Sequence, residues 1–133
     1  MDIKTNLLTL ADGQKMPQEG FGLYKVSGQS TISSAINSAY DAGYRLFDTA
    51  QLYKNEAEVG QALTDLNVSR EELFVTTKVA EENQGYQKTI AAVKDSLHKL
   101  QLDYVNLLMI HWPIKRAFFD SWTALEELKK AGL

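Results

Sequence analysis

The sequence predicts an α/β fold in which short parallel strands alternate with amphipathic helices. Three observations predict it. Short apolar runs recur at steps of about 30 residues, the length of a βαβ unit. Each run is followed by a segment whose apolar residues have helical spacing. The last run, Tyr104 to Ile110, is nearly all apolar except for Asn106, as expected of a parallel strand covered by helices on both faces.

The elements follow in chain order. Leu7-Leu8-Thr9-Leu10 and Gln14-Lys15-Met16 flank Asp12-Gly13, and Asp-Gly between extended runs predicts a hairpin. Phe21 to Val26 reads as a third extended run, with Gly20 and Gly22 around it. Both glycines suit ordinary turns; the alternative is a close approach of backbone to a ligand. Ile32, Ala35, Ile36 and Ala39 mark a helix over residues 31–42, and Gly43 is placed to stop it. Leu46-Phe47 then delivers Asp48 at the end of a strand. Val59, Ala62, Leu63 and Leu66 share one face of a second helix over 55–66. Ser69-Arg70-Glu71-Glu72 fits a capping box and predicts one short turn. Leu73 to Thr77 forms the next strand and ends at Lys78. Gln84-Gly85 breaks the chain before a third helix marked by Ile90, Val93, Leu97 and Leu100. Tyr104 to Ile110 ends at His111, and Trp122, Leu125 and Leu128 mark a fourth helix that Gly132 would stop.

Composition narrows the function classes. The chain has 133 residues, 44% hydrophobic and 23% charged, ordinary values for one globular domain. A net charge of −3 gives no footprint for nucleic acid and no attraction to anionic lipid. The absence of cysteine removes disulfides, thiolate metal sites and cysteine nucleophiles. Met1-Asp2-Ile3-Lys4 shows no apolar signal core, and no run is long enough to span a bilayer; a cytoplasmic location is the default expectation. No Pro- or Gly-rich linker divides the chain, so residues 1–133 read as one domain. No G-x-G-x-x-G follows the first strand, which removes the main support for a dinucleotide fold of the Rossmann type.

Asp48, Lys78 and His111 end three successive strands, and Tyr53 follows Asp48 in its loop. Parallel barrels gather reactive groups at that end, because every strand points to one face. Each residue has an ordinary explanation: a turn aspartate, a paired lysine, a satisfied core histidine, a half-buried tyrosine. The set suggests more. Asp48 would satisfy a buried Lys78 ammonium, and an ammonium beside a tyrosine hydroxyl favours the phenolate. Such a tyrosine can donate a proton to a carbonyl oxygen, and His111 can hydrogen-bond and orient the same oxygen. No metal or nucleophile is needed. A hydride donor is needed, and the polypeptide has none.

At these residues the chain resembles the aldo-keto reductase family, in particular its small bacterial members of the 2,5-diketogluconate reductase type. Gly43-Tyr44-Arg45-Leu46-Phe47-Asp48-Thr49-Ala50, followed by Glu56, Val59 and Gly60, is similar to the family's first signature. Lys78 in Thr-Thr-Lys-Val and His111 in Ile-His-Trp-Pro fall where the family carries its Lys and His. The resemblance implies the N-terminal half of a (β/α)8 TIM barrel, about four βα units preceded by a hairpin that plugs the barrel bottom. It implies NADPH-dependent reduction of a small carbonyl substrate, with Tyr53 as proton donor tuned by Lys78 and Asp48, and with His111 orienting the substrate. Gly22, Leu23 and Tyr24 match the loop near the nicotinamide and the substrate, with Asp48 beside them. Tyr24, His111 and Trp112 would line the substrate pocket. Ala80 stands where the family often has a large aromatic, which implies a wider or differently shaped pocket.

Four βα units cannot close a barrel, and the family's chain is more than twice this length. Inward side chains would lack facing partners, and the outer strands would become open edges. Exposing several aliphatic side chains costs on the order of 1.5–3 kcal/mol each, comparable to a whole domain's net stability. The expectation is a truncated barrel that self-associates, with two halves able to form an eight-stranded pseudo-barrel. Three outcomes stay open: an active reductase, either as two chains that rebuild the barrel or as a piece of a longer enzyme; a truncated product that keeps the four site residues without holding NADPH; and a non-catalytic module that binds a partner through its edges.

Overall fold

The computed structural model describes residues 6–133; the expectation drawn from Met1 to Lys4 lies outside them. An antiparallel hairpin pairs β1 (Leu7–Thr9) with β2 (Lys15–Pro17), turning at Gly13 with φ 87°. Four parallel strands follow: β3 (Gly20–Gly22), β4 (Leu46–Asp48), β5 (Phe74–Val79) and β6 (Leu107–Ile110). They stand in the sheet in sequence order, β3-β4-β5-β6. Helices α1 (Gln29–Ala42), α2 (Glu56–Asp65) and α3 (Tyr86–Leu100) connect them, and α4 (Phe118–Lys130) follows β6. This is the alternation expected, a partial (β/α)4 barrel behind a hairpin.

The register fixes which side chains face where. Gly22 pairs with Asp48, Asp48 with Thr76, and Thr76 with Leu107. Because side chains alternate along a strand, Asp48, Thr76 and Lys78 share one face. Phe47, Val75 and Val79 share the other and pack with Ile32, Ile36, Val59, Val93 and Leu97 from the helices. That helix-side layer is the core. Gly43 stops α1 in the left-handed region at φ 108°, its N–H returning to Ala39 and Tyr40 carbonyls.

Several expectations are corrected. The third extended run is strand only over Gly20–Gly22. Leu23 turns into the core with no exposed surface, and Lys25 adopts φ 58°, which ends the strand. The last strand starts at Leu107 rather than Tyr104, because the Asn106 side chain replaces a ladder bond: its Oδ1 accepts from Val75 N–H at 2.9 Å and from Arg70 Nη2 at 2.8 Å. All four residues of β6 are half-buried, not buried on both faces, since β6 is the sheet's edge. On the inward face, Leu46, Phe74 and Thr76 are buried, since the two inner strands have a neighbour on either side. Trp122, expected on the buried face of α4, is 52% exposed, and Ser121, Ala124, Leu125 and Leu128 bury that face instead. The short turn at Arg70–Glu72 forms, but Ser69 bonds Glu71 rather than capping the turn. No described helix is long and apolar enough to cross a membrane.

Candidate active site at the strand ends

Asp48 is the last residue of β4, Lys78 the penultimate residue of β5, and His111 the residue after β6. Parallel strands in register bring all three to one end. A 3-10 turn, Gln51–Tyr53, carries Tyr53 back over them. Asp48, Tyr53, Lys78 and His111 thus converge at one end of the sheet.

Lys78 is the hub. Its Nζ donates to Asp48 Oδ1 at 2.7 Å and Oδ2 at 2.8 Å, to the Thr49 carbonyl at 3.1 Å and to the Tyr53 hydroxyl at 3.4 Å. Its side chain is 14% exposed, that of Asp48 29%, so the ion pair is partly shielded from water. Thr76 Oγ1 donates a further hydrogen bond to Asp48 Oδ1. Two rings flank Tyr53: Tyr24, with centroids 5.1 Å apart, and His111, edge-on at 5.7 Å. Trp112 stacks on His111 at 6.0 Å. Among the described residues, the buried His111 Nδ1 has no hydrogen-bond partner, which leaves the ring held by these aromatic contacts and by its backbone N–H to the Val79 carbonyl. Tyr24 is 62% and Trp112 60% exposed, so both project at the rim.

Gly22 lies beside Asp48 in register, and an added Cβ there would meet no atom within 4 Å. Neither packing nor a positive φ requires glycine at this position. Gly20 contrasts with it, because a Cβ there would run into the Leu46 side chain. The Leu23 side chain does not join the site: it lies in the core, and its N–H donates to the Asp48 carbonyl at 3.0 Å. Ala80 is buried.

Sequence reasoning missed the polar layer beneath the turn. Gln51, Asn55, Ser96 and Glu56 form buried or half-buried hydrogen bonds there. Glu56 Oε2 accepts from Thr77 Oγ1 at 2.8 Å and Oε1 from Ser96 Oγ at 3.1 Å. Burial pushes the Glu56 carboxyl above its ordinary value, and the two hydroxyls offset part of that rise. The available signal was a pair of threonines before Lys78 on a strand otherwise apolar, and polar residues on both flanks of Tyr53.

The chain matches the model of the aldo/keto reductase family over residues 20–133. It is 47% identical over 123 residues to glyoxal reductase of Bacillus subtilis, an alignment covering 92% of this chain and 45% of that protein. It is 45% identical over 129 residues to methylglyoxal reductase of Escherichia coli O157:H7, covering 96% and 46%. An aldo/keto reductase from Brucella melitensis superposes with a TM-score of 0.89 at 41% identity, covering 95% of this chain and 50% of that one. An aldo-keto reductase from Bombyx mori, solved with NADP, gives 0.82 at 32% identity, covering 96% and 47%. The chain spans about half the length of the curated relatives it matches.

Proposed function

Because this chain belongs to the aldo/keto reductase family, we propose that its strand-end cluster serves an NADPH-dependent reduction of small aldehydes and ketones to alcohols, with Tyr53 as proton donor. The observation that carries this reading is the Lys78 ammonium, which is paired with the Asp48 carboxylate and lies 3.4 Å from the Tyr53 hydroxyl. As the phenolic proton leaves for a carbonyl oxygen, negative charge grows on the Tyr53 oxygen beside a fixed cation. Asp48 keeps that cation in place and Thr76 keeps Asp48 in place. His111 orients the carbonyl by hydrogen bonding to the same oxygen. Tyr24 and Trp112 form aromatic walls. Gly22, Tyr24 and Asp48 would hold the nicotinamide end, with Leu23 contributing only through its backbone; an added Cβ at Gly22 would meet no atom within 4 Å, so that approach to the backbone is open. NADPH, when bound, supplies the hydride that no side chain can provide. The relatives named for glyoxal and methylglyoxal favour small aldehydes as first substrates to test.

Tyr53→Phe should lower kcat by about 10²–10⁴-fold while NADPH fluorescence still changes on mixing with the protein. Unchanged turnover in that variant would remove Tyr53 from the acid role. A second reading is favoured by the sheet edges: an inactive half-barrel that self-associates or binds a partner. Among the described residues, β3 and β6 each have one paired side, and a groove of about 450 Å³ lies where β6 meets α4 and the hairpin, lined by Leu107, Leu108 and Trp122 together with Asp12, Glu126 and Lys129. Sedimentation of these 133 residues should show dimers or larger species under this reading; a compact monomer that quenches NADPH fluorescence would refute it.

A further inference from the structure

The contact between Tyr53 and Lys78 is 3.4 Å long, beyond the usual hydrogen-bond range. It cannot by itself hold the phenol where proton donation needs it. The turn that carries Tyr53 must be fixed by something else.

Two amide side chains flank it. Gln51 opens the turn, and both its polar atoms are engaged: Oε1 accepts from the Ala80 N–H at 2.9 Å and from Asn83 Nδ2 at 2.8 Å, and Nε2 donates to Ser96 Oγ at 3.0 Å. Ala80 lies two residues beyond Lys78, so this amide ties the segment bearing the phenol to the strand end bearing the ammonium. Asn55 closes the other flank and is 2% exposed. It occupies the N-cap position of α2, where an asparagine oxygen ordinarily accepts from the first-turn N–H groups of its own helix. No such bond forms. Its Oδ1 accepts instead from Thr49 Oγ1 at 2.6 Å, and its Nδ2 donates to the Leu23 and Val26 carbonyls, both at 2.9 Å. Thr49 supplies the carbonyl that also receives Lys78, and Leu23 and Val26 bracket Tyr24. Between the two amides, Lys54 sits in the left-handed region at φ 54°, a conformation disfavoured for a residue with a side chain. Such a conformation persists where its surroundings over-determine it.

We propose that Gln51 and Asn55 act as an amide clamp, positioning residues that set the Tyr53 phenol against Lys78 and the Tyr24 loop without touching substrate. The proposal rests on Tyr53 being the proton donor. Its structural half, that the clamp fixes the ring, stands apart from turnover.

The test uses the chain labelled with ¹³C at the tyrosine ζ-carbon, with the Tyr53 resonance assigned by its loss in Tyr53→Phe. Gln51→Ala should shift or broaden that resonance while circular dichroism remains that of the folded chain. Where the chain turns over, kcat should fall by about 10- to 100-fold, the cost of misplacing a reacting group, with KM unchanged. A merely structural role would lower the melting temperature and leave both the resonance and kcat alone, and that result would overturn the clamp. Should Gln51→Ala fail to fold, Asn83→Ala removes only one donor to the same oxygen; it should give a smaller change in the same resonance, and an unmoved resonance again overturns the proposal. Absence of turnover in the parent chain counts against the reductase reading, while the resonance still decides the clamp.

Discussion

Lys78 places a positive charge where water reaches little of it, and Asp48 is its anionic partner. Asp48→Asn keeps the shape and removes the charge. It should cost about 1–3 kcal/mol of stability, less than a fully buried pair because Asp48 is partly solvated; urea unfolding of the two proteins measures this. Glu56 behaves in the opposite sense to most carboxylates. Its folded value is raised above the ordinary 4.5 by burial, so the native chain holds that proton more tightly than the unfolded one. Its contribution to stability is full below the ordinary value and is lost as pH rises through the raised one. Glu56→Gln removes this loss, so its unfolding free energy relative to the parent should increase as pH rises from below the ordinary carboxylate range through the raised value. An unchanged difference would mean that Glu56 titrates normally. The convergence of Asp48, Tyr53, Lys78 and His111 was legible in the sequence because each ends or follows an apolar run. Gln51 and Asn55 were not, because an amide reads alike whether it caps a helix, faces water or holds a loop, and only the partners decide.

At the scale of elements, α2 and α3 approach so closely at Gly60 that an added Cβ would meet the Leu100 Cα at 2.6 Å. The obstacle is backbone and cannot rotate away. Gly60→Ala should therefore destabilise the chain by about 1–3 kcal/mol, despite the better helix propensity of alanine, and a rise in the urea midpoint would contradict it. Gly43 at the end of α1 was readable as a stop because a helix commonly ends on a left-handed glycine. Strand lengths were less readable. Periodicity cannot show that Lys25 adopts a left-handed conformation after β3, or that the Asn106 side chain takes the ladder bond ahead of β6. Both are choices of tertiary partner. The burial of β6 was overestimated for a related reason: an apolar run reports the tendency to be covered, and β6 has a neighbour on one side alone.

At the scale of the molecule, eight strands fill a parallel barrel with side chains, and the described sheet has four. Phe119 is 79% and Trp122 52% exposed on α4, and Trp122 lines the groove beside β6. If this face mediates self-association, Trp122→Glu should shift the sedimentation profile toward monomer with little change in melting temperature, since that ring is already half in solvent; an unaltered profile would direct attention to the β3 edge. The Lys129–Asp12 contact at 3.1 Å joins α4 to the hairpin, but both groups are exposed, and a pair of this kind adds little. The sheet order has a kinetic corollary. Each parallel strand pairs with its neighbour in sequence, and successive helices pack on one another. During synthesis, every strand of this sheet after β3 emerges with a neighbour already made; each new βα step docks on the template just before it. Refolding from denaturant should accordingly outpace that of an all-β chain of equal length, whose pairings span longer loops.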